Sequence, residues 1–178
     1  MTRSPLRPQP SEYAEFYRGY VDLVPEVDIL EALEQQRLEL LSAFGSVGAD
    51  REKFRYAPGK WSIREVAGHL IDSERVFAYR ALSFAREEGV ELPGFDENQW
   101  SASAGADAIP LAELSSHFDA LRRANLAMFR AFPSGAWERS GVANQVPITV
   151  RALAWIMAGH ARHHLRVLEE RYGVRRDG

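Results

Sequence analysis

ITVRALAWIMAGHARHHLRVLEERYG, residues 148–173, reads as one long helix with a core-facing stripe. Leu153, Met157, His160, His164 and Leu168 advance by steps of four, three, four and four, which keeps them on one helical face. Thr149 stands where an N-cap hydroxyl takes an orphan amide, and Gly173 stands where a helix end turns left-handed. A second stretch, GKWSIREVAGHLIDSERVFAYR, residues 59–80, carries an equally local start signal. Ser62 followed by Glu65 is a capping box, in which serine and glutamate satisfy each other's backbone amides. This helix is expected to continue to about Glu87, before Gly89, with Val66, Leu70, Val76, Phe77 and Phe84 on its apolar face.

Two further helices complete the pattern. One runs from about Val27 to Phe44, with Ile29, Leu33, Leu40 and Phe44 on one face and Gln35, Gln36 and Glu39 elsewhere; Gly45 and Gly48 stop it. The other begins near Pro110, suited to a first turn, and ends near Phe132 before Pro133. Tyr13 to Val24 is aromatic and is expected to pack as a turn or short helix against the body. Residues 88–109 and 133–148 are long connections, and the first, with Phe95 and Trp100, is expected to fold over the bundle. No alternating β pattern rivals these helices, so the fold class is all-α, a four-helix bundle. The domain expectation is a flexible proline-rich arm over residues 1–12 and a single helical domain over 13–178.

Composition narrows the function. With 22 basic and 25 acidic residues interspersed, the net charge is −3 and no basic stripe follows a helix, which argues against nucleic acid as a partner. There is no cysteine, which excludes a disulfide, a thiolate metal site and a cysteine nucleophile from this chain. The opening residues lack the apolar core of a secretory signal, and the longest apolar run, Ala152 to Gly159, is too short for a membrane span. The expected location is cytoplasmic.

Chemistry centres on histidine. His160 and His164 lie one helical turn apart, offset by about 40°, so their imidazoles can converge on one ion. Two neutral imidazoles on a core face need partners, and a metal satisfies both at once. His69 occupies a comparable face of its own helix and can supply a third nitrogen if the two helices are neighbours. Three histidines with an open fourth position describe a catalytic type of site better than a closed structural one. His163, offset by about 60° from His160, belongs at the side of the helix, and His117, among Ser115, Ser116 and Asp119, reads as solvated. The pair resembles the ends of an HExxH motif, but Ala161 stands where its glutamate would be. Glu65 and Asp72 flank the His69 face, although Glu65 is accounted for by capping and Asp72 by a surface base. Arg80, on nearly the same angle as His69, reads as a structural arginine before an anion receptor. Trp61, Trp100, Trp137 and Trp155 read as core or loop-packing groups.

With these residues in place, the sequence resembles the DinB-like superfamily of metal-binding four-helix bundles, and within it a bacterial metal-dependent hydrolase branch. The resemblance rests on residues 59–80 and 148–173, with FDENQW, residues 95–100, as a third block. It implies an up-down-down-up bundle with long crossover loops, often a homodimer. It implies His69, His160 and His164 as ligands to a divalent metal ion, commonly zinc or nickel, with His163 a non-ligand between the pair. Relatives also include transferases that use a low-molecular-weight thiol. Three functions are therefore expected to compete: a hydrolase acting on a small-molecule substrate, a thiol-dependent S-transferase, and a non-catalytic metal-binding or interaction protein.

Overall fold

The structure, a computed structural model, describes residues 4–175. Four long helices form its core: α2 (Ile29–Gly45), α3 (Ile63–Arg86), α5 (Leu111–Arg130) and α6 (Val150–Tyr172), joined by a short α1 (Arg18–Asp22) and α4 (Glu97–Ala104). Three of these four starts carry a side-chain cap. Asp28 accepts from the amides of Leu30 and Glu31, Ser62 and Glu65 close the capping box, and Thr149 accepts from Ala152. Helix α6 ends on Gly173 at φ 65°, a left-handed conformation that glycine adopts without strain.

The arrangement is up-down-down-up. Helix α2 packs on α5 and α6, and α3 packs on the same two. Arg122 of α5 reaches Leu33 while Asp119 reaches Arg37, so α2 and α5 run antiparallel. The start of α3 lies beside the start of α5, where Glu52 holds both Arg64 and the Leu111 amide. Tyr172, at the end of α6, reaches back to the Trp61 carbonyl, so α3 and α6 run antiparallel. Gln36 donates to the Ala158 carbonyl, joining the middles of α2 and α6.

The apolar interior divides into two clusters. One gathers Val21, Leu33, Phe84, Phe129 and Trp155; the other gathers Leu40, Leu70, Phe118, Leu165 and Leu168. Buried polar groups, among them Gln36, Glu74, Arg122, Asn125, His69 and His160, belong to neither cluster. Arg122 is fully enclosed and grips both oxygens of Glu74 at 2.6 and 2.8 Å, while Asn125 donates to the same carboxylate. Gln36, expected off the apolar face of its helix, is instead buried and accepts from Arg122.

The connections hold more order than their sequence suggests. β1 (Glu91–Leu92) pairs in parallel with β2 (Ser140–Ala143), which pairs antiparallel with β3 (Val146–Thr149). This small sheet ties the two crossovers together beside the all-α core. The β2–β3 hairpin turns on Asn144 and Gln145, both at positive φ, as a two-residue hairpin loop requires. Helix α1 presses its backbone on α6, and a Cβ at Gly159 would lie 2.0 Å from the Tyr20 carbonyl oxygen. Within the proline-rich segment, Arg7 donates to the Val21 and Val24 carbonyls, and Glu12 accepts from Arg151 and Thr149.

Candidate metal centre

The antiparallel pairing of α3 with α6 brings His69 to the His160–His164 pair. His69 Nε2 lies 3.0 Å from His160 Nε2, and His164 Nε2 lies 3.1 Å from it. One nitrogen from each of the three rings lies within 4.8 Å of the others. His69 and His160 are buried and His164 is half-buried.

The three rings are lone-pair donors. Burial, the largest cause, together with the neighbouring His163, lowers the pKa of His69 to about 4. Burial likewise holds His160 and His164 well below the ordinary histidine range, with neighbouring imidazoles adding to the effect. The chemical environment explains this. Trp61 lies over His69 with ring centres 4.6 Å apart, and the edges of Tyr20 and Phe77 meet His160 at 5.5 and 5.6 Å. Loss of water disfavours the imidazolium cation.

These residues fit a divalent ion. Hydrogen bonding alone leaves the cluster unsatisfied, because His160 Nε2 faces two neighbouring nitrogens and carries a single proton or a single lone pair. A tetrahedral ion bound at about 2.05 Å would separate its nitrogen ligands by about 3.3 Å. Two of the three separations, 3.0 and 3.1 Å, fall within a few tenths of that value, and the third lies within 4.8 Å. Ser73, one turn beyond His69, places its hydroxyl 3.4 Å from His69 Nε2.

The remaining sequence candidates have other occupations. His163 is exposed and stands beside His164 and Tyr20 without joining the cluster. His117 is a surface group near Glu113. Glu65 caps α3 and pairs with Arg55, and Asp72 pairs with Arg75. Arg80 is buried and donates to the Pro93 carbonyl, so it anchors the crossover; burial lowers its pKa, opposed by the Tyr17 hydroxyl. Trp155 and Trp137 are core residues, Trp100 packs on Phe95 at the surface, and Trp61 roofs the histidines.

A cavity of about 280 Å³ opens beside the cluster, lined by His163, His164, Tyr56, Lys60, Trp61 and Asn98 among others. Sequence reasoning did not single out Tyr56, Lys60 or Asn98, since nothing local marks a residue on a turn as facing a distant helix. A larger concavity of about 1150 Å³ lies outside α2, away from the imidazoles. Three of its four carboxylates are already engaged: Glu26 holds Arg162, Asp28 caps α2 and Glu34 holds Arg37. The smaller cavity is therefore the one next to chemistry.

The profile of the DinB superfamily matches residues 32–168, from within α2 to near the end of α6. The fold is similar to that of YfiT from Bacillus subtilis, described as "a probable metal-dependent hydrolase with an unusual four-helix bundle topology". The two share 21% sequence identity, the match covers 83% of this chain and 87% of that one, and the TM-score is 0.74. No curated protein sequence matches this chain. The match to YfiT accounts for the topology.

Proposed function

The chain belongs to the DinB superfamily, and from that premise we propose that it is a metal-dependent hydrolase acting on a small molecule. The observation that carries this reading is the convergence of three imidazoles, one of which, His164, lines an open cavity. His69, His160 and His164 hold the ion, and a donor set of three imidazoles without thiolate or carboxylate suits zinc or nickel. Such an ion supplies Lewis acidity to a substrate carbonyl or phosphoryl oxygen.

The chain's own residues do the rest. Trp61 shields His69 from solvent, and its carbonyl is held by the Tyr172 hydroxyl at 2.7 Å, so this wall is fixed before a ligand arrives. Half-exposed His164 leaves one side of the cluster accessible, which favours an enzyme over a closed structural site. We read residues 13–175 as one domain, the last three residues of the expected span lying outside the described residues, and the protein as a cytoplasmic homodimer. Among the described residues, no helix is long and apolar enough to cross a membrane.

The test is a screen of zinc-loaded and nickel-loaded protein that compares ester and amide hydrolysis with transfer of a low-molecular-weight thiol. Turnover of an ester or amide that disappears in His164→Ala supports the reading. Thiol transfer without hydrolysis, or turnover unchanged in His164→Ala, contradicts it.

A further inference from the structure

We propose that the cavity beside His164 is a subsite for a small molecule bearing a carboxylate, with Lys60 and Asn98 as the residues that read the anion. This rests on His164 marking the reacting end of that cavity. The first observation is charge. Of the residues lining the cavity, Lys60 is the one lysine or arginine, and no aspartate or glutamate stands among them. Among the described residues, the Lys60 ammonium has neither an ion-pair nor a side-chain hydrogen-bond partner. The neighbouring arginines are engaged: Arg55 pairs with Glu65 and Asp107, and Arg64 pairs with Glu52. An unneutralised ammonium on a concave wall draws a negative group.

The second observation is hydrogen bonding. Asn98, in the first turn of α4, uses its backbone amide on Asp96, whereas its side-chain amide makes no bond to the protein. It is free to donate beside Lys60. The third is shape. Tyr56 and Tyr172 meet edge to face at 5.0 Å, and with Trp61 they give the cavity flat apolar walls. Its volume of about 280 Å³ is at the small end for ligand sites, and it adjoins a second cavity of about 420 Å³ that shares Lys60, Trp61 and Asn98. Lys60 and Asn98 thus stand where two cavities meet, with His164 at one end. A ligand with a carboxylate at Lys60 and Asn98, a planar group against Trp61 and a labile bond toward His164 fits that order.

The test uses two probes that differ only in charge, hippurate and its neutral primary amide, with binding measured by calorimetry on the full chain. The zinc-loaded and chelator-treated forms are both titrated. Wild type is expected to bind hippurate more tightly than the amide in both forms. Lys60→Met, an exposed substitution that keeps the stem, should weaken hippurate roughly tenfold to a hundredfold, the range of a hydrogen bond to a charged group, and leave the amide unchanged. Lys60→Glu should abolish hippurate binding. Equal affinity for the two probes, binding of neither, or a preference that survives Lys60→Met overturns the proposal. A preference present with zinc and absent without it also overturns it, because the ion would then be reading the carboxylate. Hippurate bound with the expected preference but never hydrolysed leaves this subsite standing and counts against the hydrolase reading alone.

Discussion

Replacing Arg122 by methionine should cost far more than the hydrogen bonds it removes. Arg122 is fully enclosed, with Nε 2.6 Å and Nη2 2.8 Å from the two oxygens of Glu74. Its remaining nitrogen reaches the Leu33 carbonyl at 3.0 Å and Gln36 at 3.3 Å. Arg122→Met would strand the Glu74 carboxylate in a site that is 3% exposed. Leaving one buried charge without its partner costs about 3–5 kcal/mol. Glu74→Leu strands the guanidinium instead and should cost a similar amount. The double variant removes both charges, so the two costs do not add. It keeps the penalty of whichever groups at Leu33, Gln36 and Asn125 stay dry, roughly 1–3 kcal/mol each, but these the single variants already carry on top of the stranded charge. The coupling energy of the cycle should therefore be about 3 kcal/mol or more. For a chain of this length each single variant should melt roughly 6–20 °C lower. Urea unfolding at fixed metal concentration gives the free energies, because bound metal would add its own stabilisation. Single variants that each lose less than about 1 kcal/mol, or a double variant that loses their sum, would refute the reasoning.

Gly159→Ala should destabilise by about 1–3 kcal/mol through overpacking, since the new Cβ would meet the Tyr20 carbonyl oxygen at 2.0 Å; faster protease cleavage around α1 is the accompanying readout. His163→Ala should leave one metal ion bound per chain, whereas His69→Ala should not, as elemental analysis of the two variants will tell. In chelator-treated protein, acid should unfold the chain partly through the histidines. His69 titrates at about 4 when folded and near 6.5 when unfolded, so the unfolded state binds more protons between those values. Its contribution, ~3 kcal/mol, is fully present above pH ~6.5 and lost as pH falls toward 4. His69→Gln should flatten that slope in urea titrations, and an unchanged slope would contradict the assignment.

What the sequence made legible was local. The starts of α3 and α6 follow from Ser62, Glu65 and Thr149 acting on amides within one turn. The His160–His164 pair follows from helical pitch, and His69 from its face and the family resemblance. The buried charge pair was hidden, because Glu74 and Arg122 lie on different helices and only packing joins them. The β2–β3 hairpin was hidden for a different reason. Asn144 and Gln145 take positive φ without glycine, and Pro147 sits in a strand, tolerated because β3 is at the sheet edge. Lys60 and Asn98 gave no signal, since a cavity wall assembled from a turn and a crossover helix has no period.

The central claim is that one divalent ion sits among His69, His160 and His164. Its most direct measurement is diffraction from zinc-loaded crystals at energies on either side of the zinc absorption edge. The account predicts a single anomalous peak per chain, about 2.0–2.1 Å from one nitrogen of each ring, and no peak there in His160→Ala. A strong peak elsewhere on the chain, with none among the three imidazoles, would contradict it.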